Sequence, residues 1–444
     1  MATPFSRASF ELLKDSTDKD VKIIFFTPLD QLDSNYYYKS VKTLALEYQE
    51  KFENVAVEYV DMWRDRARIA KYLKTVEGFS ENGEKMVIVE SGDRFAHFSL
   101  DDCLVYMQND DNTLVPYAFN AEYRFTSSIM KVTRENSPLV TFVVNHAEMV
   151  PAAFRAFFED SGFEVSTLDL LKDDIDPRCE ILIMVSPERD ITGIETEEEG
   201  TSEVTKLTSY LNGGGDMMIF LNPDTPVLKN LDELMEMWGI SVLHGGVVQD
   251  EREYNPAATN RAVFASYYPG TERFSPLYEK VKSESKARIV SEYTVPLFEK
   301  EVGGTERTAQ PVLISSPTGY VPLNASENAY EGAMRLMVAS CTKRFNSEME
   351  KEELSYLIVG GSTQLVSNQS LIDQSFDNAE FIKNMVSSLT DEKMALDIDY
   401  KVYNDTSLDV DPIEKNSLAA PLILVLPAIV LIAATVVFLK RRHL

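Results

Sequence analysis

The chain is poor in the residues that carry most catalytic and metal chemistry. Across 444 residues it has three cysteines and four histidines. Cys103, Cys179 and Cys341 are odd in number and far apart, so they form no disulfide framework. No C-x-x-C pair exists for zinc or thiol redox chemistry, and each cysteine reads as a small core residue. No G-x-x-x-x-G-K-[ST] loop is present, which excludes nucleotide hydrolysis by a P-loop. Basic residues are scarce too: 43 Lys and Arg stand against 71 Asp and Glu, a formal net charge of −28. A chain so charged is repelled by nucleic acid, and no nucleic-acid partner is expected. The charge reads as a solvated surface, and the run Glu195 to Glu199 as loop or helix-start charge. Residues 1–20 contain no apolar stretch that would serve as an export signal. No cofactor or metal site is expected.

What is present is apolar content of 44%, ample for two or three packed domains, and one long uncharged run at the C-terminal end. Leu418 to Leu439 is about 22 residues long and as a helix spans roughly 33 Å, enough to cross a bilayer. Lys440, Arg441 and Arg442 follow at once and place that end on the cytoplasmic side. The expected topology is a large extracytoplasmic body on a single C-terminal anchor. With no export signal, either a tail-anchor-like insertion translocates the body or a preceding N-terminal membrane segment is missing from this chain, and the second is physically easier.

Short apolar runs alternate with helical periodicity along the body. Val21 to Phe26 and Val55 to Val60 read as strands, with a helix from Tyr38 to Phe52 between them and another over Arg66 to Leu73. Met86 to Glu90 and Arg94 to Phe98 flank Ser91–Gly92–Asp93 as a hairpin, and a helix spans about Asn120 to Thr133. This βαβαββ order resembles a thioredoxin-like layout over residues 8–135. Thr27–Pro28–Leu29–Asp30 stands where a redox motif would follow the first strand, so the redox activity is not expected. A second unit, residues 136–395, begins with the apolar run Leu139 to Val144, typical of a strand covered on both faces. Helix Ala152 to Asp160, strands Glu164–Val165 and Ile181 to Val185, helix Glu203 to Leu211 and strand Met217 to Leu221 follow. The alternation predicts a doubly wound α/β sheet of the flavodoxin or class I amidotransferase kind. Strand Val312 to Ile314, a helix over Ala333 to Phe345, strand Leu354 to Val359 and a helix over Asp377 to Leu389 are expected to continue it. Residues 245–310 carry no clear periodicity and read as insertions. Residues 396–417 read as an acidic stalk, 418–439 as the membrane helix and 440–444 as a cytoplasmic tail.

Two glycine-rich segments have the composition of a site. Asn212–Gly213–Gly214–Gly215–Asp216 follows a helix and precedes a strand, the reverse of a phosphate loop, and reads as a helix C-cap and turn. Gly360–Gly361–Ser362–Thr363–Gln364 resembles a nucleophile elbow, but Gln364 breaks the motif and no motif-like histidine follows. Ser362 is expected to cap the next turn instead. Of the histidines His97, His146, His244 and His443, only His146 falls just past a strand end, where α/β sheets bind ligands. Asn145, His146 and Glu148 are therefore the candidate ligand or partner turn. No catalytic residue is assigned.

Several of these stretches together resemble one family. They are Val21 to Phe26 with Val57 to Asp61, Ala121 to Ile129, Val140 to Glu148, Leu207 to Pro223 with Leu231 to Val242, Val359 to Leu371, and Phe381 to Leu389 before the anchor. The chain resembles, over about residues 8–442, the gliding-motility-type ABC-transporter auxiliary family, which carries the GIFT domain shared with intraflagellar-transport proteins. Asn145 and Ala147 stand where that family has glycines. The resemblance implies a non-catalytic, membrane-anchored extracytoplasmic subunit that works with an ABC permease and a separate ATPase in export, cell-envelope function or motility. The alternatives are an anchored extracellular hydrolase or amidotransferase-like enzyme, and a structural envelope protein.

Overall fold

The N-terminal part of the protein is organised around a four-stranded sheet whose two central strands are almost wholly buried. The computed structural model describes residues 5–14, 19–61, 64–73, 76, 83–108, 113–134, 137–193, 202–268, 289–303, 307–323, 328–346, 351–372, 376–390, 398 and 400–403. Its class is mixed α/β. The opening elements are α1 (Arg7–Leu13), β1 (Val21–Phe25), α2 (Leu29–Ser34), α3 (Tyr36–Lys51), β2 (Val55–Tyr59), α4 (Arg66–Leu73), β3 (Met86–Ser91) and β4 (Arg94–Ser99). After β5 (Leu104–Gln108) and β6 (Leu114–Phe119) comes α5 (Ala121–Thr133). The strand order is β2-β1-β3-β4, with β1 and β2 parallel and β3 antiparallel to both β1 and β4. Gly92 at φ +59° supplies the left-handed backbone that closes the β3–β4 hairpin.

Alternation along β1 sends Ile24 and Phe26 to one face, where they join Ile69 and Tyr72 of α4. Phe25 meets Phe125 of α5, which packs on Tyr48 of α3. Asn35 starts α3 by accepting from the Tyr37 and Tyr38 amides. Glu122 then ties α1 to α5, accepting from the Ser6 amide at 2.7 Å and the Ser9 hydroxyl at 2.6 Å.

The second sheet is larger and of two kinds. Its parallel part is β7 (Leu139–Val143), β8 (Glu164–Leu168), β9 (Cys179–Val185), β10 (Asp216–Phe220) and, much later, β20 (Lys351–Gly360). These lie in the order β8-β7-β9-β10-β20. β7 and β10 are buried at every position because helices cover both faces. On one face α6 (Ala152–Ser161) contributes Phe154 and Phe158, and α10 (Asn378–Leu389) contributes Phe381 and Met385. On the other, α7 (Glu203–Asn212) contributes Leu207 and Leu211, and α8 (Lys229–Met237) contributes Leu231 and Leu234. Helix α6 stops at Gly162, whose φ of +95° gives the left-handed C-cap. The short α9 (Asn368–Ile372) precedes α10.

Beyond β20 the sheet turns antiparallel. There the structure departs from the sequence reading. The helix expected over Ala333 to Phe345 is a strand, β19 (Arg335–Asn346), paired with β20 from Met337↔Gly360 to Asn346↔Lys351. Leu, Met and Ala in this segment favour a helix by local propensity. A ladder on both edges, to β20 and to β16 (Thr308–Ile314), overrides it. The segment read as insertions likewise holds strands: β11 (Ile240–Val242) and β12 (Gln249–Asp250) lead into β13 (Ala262–Tyr267), β14 (Ile289–Glu292) and β15 (Leu297–Glu299). The order continues β19-β16-β13-β14, with β15 bridging β11 and β19. A small sheet pairs β12 with β17 (Gly319–Pro322) and β17 with β18 (Asn328–Glu331).

By packing, the described residues fall into two units, one of residues up to 105 with 119–400, the other of 106–118 with 401–403. The second carries a three-stranded sheet in the order β21-β6-β5, in which β21 is Lys401–Val402. The start of the expected stalk thus forms a strand. Glu195 to Glu199, the rest of the stalk, the apolar run 418–439 and Lys440, Arg441, Arg442 and His443 lie outside the described residues. Among the described residues no helix is long and apolar enough to cross a membrane.

Candidate functional site

The parallel strands β7 and β9 are neighbours whose connections leave the sheet in opposite directions, and a crevice opens there at their C-terminal ends. Three non-glycine residues with positive φ gather at this edge: Asn145 (+86°) and Ala147 (+63°) after β7, and Ser186 (+52°) after β9. Left-handed backbone is costly for residues with a Cβ, so other contacts hold these turns. The carbonyl of His146 accepts from the amides of Glu188 at 2.8 Å and Arg189 at 3.1 Å, which fastens one turn to the other. Asn145 donates through Nδ2 to Asp169 at 3.4 Å.

His146 itself is 3% exposed. Its Nδ1 lies 2.9 Å from Glu148 Oε1, and the His146 amide donates to Glu148 Oε2 at 2.6 Å. Its Nε2 lies 3.0 Å from Glu203 Oε1 at the start of α7. Glu203 Oε2 accepts from the Thr192 amide at 2.7 Å, and Ser202 caps the helix through Thr205. Burial alone would push the imidazole pKa down. The two carboxylates outweigh it and raise it to about 9. Burial likewise works to raise the Glu203 carboxyl, but His146 and the Thr192 amide bring it below its ordinary value.

The structure therefore joins Asn145, His146 and Glu148 in one turn, and adds Glu203, Thr192 and Ser186. Both imidazole nitrogens face carboxylates and the ring is inaccessible, so His146 locks two segments together. It is not posed as a general base toward a cleft.

Beside the lock a cleft of about 400 Å³ is open to solvent. Its polar wall is built from Ser186, Asn222, Asp224, Thr225, Tyr293 and Gln364. Asn222 donates to Ser186 Oγ at 2.8 Å and accepts from the Asp224 amide at 2.9 Å. Thr225 Oγ1 accepts from the Asn222 amide at 3.1 Å, and Tyr293 donates to Asp224 at 3.3 Å. Amides, hydroxyls and one carboxylate in such a wall can orient a polar ligand or a polypeptide segment.

Ser362 lies at the floor of this edge, fully buried. It caps the following turn by accepting from the Gln364 amide at 3.1 Å, and its hydroxyl donates to the Glu292 carbonyl. At Gly361 a Cβ would come within 2.2 Å of the Val295 carbonyl, so the glycine serves close packing of two chains. Both observations fit a capped turn. At the opposite end of the sheet Gly213 caps α7 and Gly214 takes φ +100°, as a turn requires. A Cβ on Gly215 would overlap the Tyr210 ring at 2.3 Å. Cys103, Cys179 and Cys341 are buried free thiols, and burial pushes the Cys103 and Cys179 thiols up, away from reactivity. His244 pairs with Asp232 at 2.9 Å, whose carboxyl is raised by burial. Among the described residues no cluster of His, Cys, Asp and Glu is arranged to hold a metal ion.

No protein-family model matches the chain, and no curated protein matches it. Among solved structures, the mmIFT52 N-terminal domain aligns at 17% identity over 56% of this chain and 96% of that one, with a TM-score of 0.40. The structure of PurLQS from Thermotoga maritima aligns at 13% identity over 57% of this chain and 100% of that one, with a TM-score of 0.32. Neither superposition is extensive enough to assign a fold or an activity.

Proposed function

We propose that the protein is a non-catalytic, membrane-anchored extracytoplasmic subunit of an ABC transport system, acting through association with a permease, its separate ATPase, or cargo. The observation that carries this reading is the His146 lock. At the sheet edge where α/β proteins place their chemistry, the histidine that follows β7 is enclosed by Glu148 and Glu203, while the neighbouring cleft offers amides, hydroxyls and one carboxylate. The sequence resemblance supplies the class of partner, and the apolar run before Lys440, Arg441 and Arg442 supplies the anchor. In this reading the first sheet is thioredoxin-like, supported by its β2-β1-β3-β4 order. The second is a doubly wound, flavodoxin- or amidotransferase-like sheet, supported by the parallel order β8-β7-β9-β10-β20.

Mild-detergent pull-down of the full chain from its native host tests the assignment. Recovery of a permease and an ATPase subunit is expected. Replacing Ala433 and Ala434 with Leu should reduce that recovery without preventing membrane insertion, because small residues let helices pack closely in lipid. Recovery of neither subunit, or stoichiometric labelling of Ser362 by a fluorophosphonate, overturns the reading.

A further inference from the structure

The large sheet ends laterally at β8, whose outer side has no partner strand. Glu164, Ser166 and Leu168 direct their backbone toward β7. The Glu164 amide donates to the Pro138 carbonyl at 3.0 Å, and the Leu168 carbonyl accepts from the Val144 amide at 2.9 Å. The amides and carbonyls of Val165 and Thr167 therefore point away from the sheet. None of those four groups is hydrogen-bonded among the described residues.

Two other outer strands of the protein are closed by side-chain amides. On β14 the buried Asn378 accepts from the Val290 amide at 3.0 Å and donates to the Val290 carbonyl at 2.9 Å. On β2 the Gln49 side chain accepts from the Val57 amide at 2.7 Å. β8 has no such plug. Its sequence, Glu164 to Leu168, also lacks the lysine, proline or bulge that guards an open edge.

This edge is complementary to itself. A second β8 laid antiparallel about a two-fold axis at Ser166 sets Val165 of each copy opposite Thr167 of the other. Each such pair exchanges two N–H···O=C bonds, so every free group at the edge is satisfied and Ser166 faces Ser166 across the axis. The net charge of −28 opposes self-association, yet the acids beside β8 are matched. Glu164 and Asp176 pair with Arg178 at 3.0 Å and 2.9 Å, and Asp169 pairs with Lys172 at 2.6 Å. Antiparallel pairing brings the Asp169–Lys172 end of one strand beside the Glu164–Arg178 end of the other. The Lys172 side chain, 75% exposed, then meets the Glu164 carboxylate of the second copy. We infer that β8 is the interface of a two-fold homodimer in which the large sheets of two copies join into one. The inference does not depend on the transport reading.

The test uses the full chain in density-matched detergent, where sedimentation equilibrium should show a monomer–dimer equilibrium. Thr167→Pro removes an amide that the monomer leaves unpaired. It should keep the parent's urea midpoint and weaken dimerisation at least tenfold. Ser166→Cys adds a thiol at the axis to three buried ones, at a Cα separation of about 4.5 Å that suits a disulfide. Mild oxidation should give a covalent dimer of Ser166→Cys and none of the parent. A parent that stays monomeric at every concentration, a dimer unchanged in folded Thr167→Pro, or no cross-link in Ser166→Cys overturns the inference. If Thr167→Pro does not fold, the cross-link decides alone.

Discussion

His146 and His97 are the same side chain in two opposite electrostatic settings. The turn after β7 encloses its imidazole between two carboxylates with almost no solvent contact. A recess beside β4 leaves its imidazole exposed next to a lysine. The first arrangement is complete in itself and holds two segments of backbone together. The second leaves the ring neutral beside Lys131, with Asp102 and Asp160 nearby. The histidine at the more conventional sheet-edge position is thus the one given over to structure.

The sharpest way to break the comparison is to remove each ring. His146→Ala would leave Glu148 and Glu203 buried without their cation and is expected to cost about 3–5 kcal/mol in urea unfolding. His97→Ala should fall within about 0.5 kcal/mol of the parent. Equal costs at the two positions would show that the His146 contacts are not a lock.

The pH dependence should differ in sign as well. The His146 pKa is raised to about 9 in the folded protein, above an unfolded value of ~6.5. Its contribution is therefore fully present below about pH 6.5 and is lost as the pH rises through about 9, by up to about 3 kcal/mol. For His97, whose folded value is lowered, protonation disfavours the fold, and stability is lost as the pH falls through the ordinary imidazole range. Unfolding the parent and His146→Gln at pH 6 and pH 9.5 isolates the first effect. If the difference between the two proteins does not shrink at high pH, the carboxylates do not hold a protonated ring.

A smaller effect of opposite direction is expected at the turn itself. Ala147 adopts φ +63°, so Ala147→Gly should stabilise the protein by roughly 0.5–1 kcal/mol as the left-handed strain is relieved. A destabilisation in the same urea assay would mean that the methyl group packs more than its backbone costs.

The parallel strands were legible in the sequence because a strand covered on both faces must be apolar at nearly every position, as Leu139–Val143 and Asp216–Phe220 are. The β19 segment was misread because Leu336, Met337 and Ala339 carry a helix-compatible pattern, and only pairing with residues later in the chain makes it a strand. Residues 245–310 gave no signal since their strands are short and find partners far away, such as Leu297↔Arg335. The candidate turn was located by its place after a strand. Its locking partner, Glu203, lies 57 residues further on and reads locally as ordinary acidic charge at a helix start.

The position of β20 has a consequence for how the chain is made. β10 emerges from the ribosome with Met217 to Phe220 ready to pair, yet its outer neighbour begins about 130 residues later at Lys351. At ~5–20 residues per second of synthesis, the apolar edge of β10 waits on the order of 7–26 s for its partner. During that interval it is an open template for pairing with another chain. A version ending before β20 should therefore aggregate, while one ending after α10 should not.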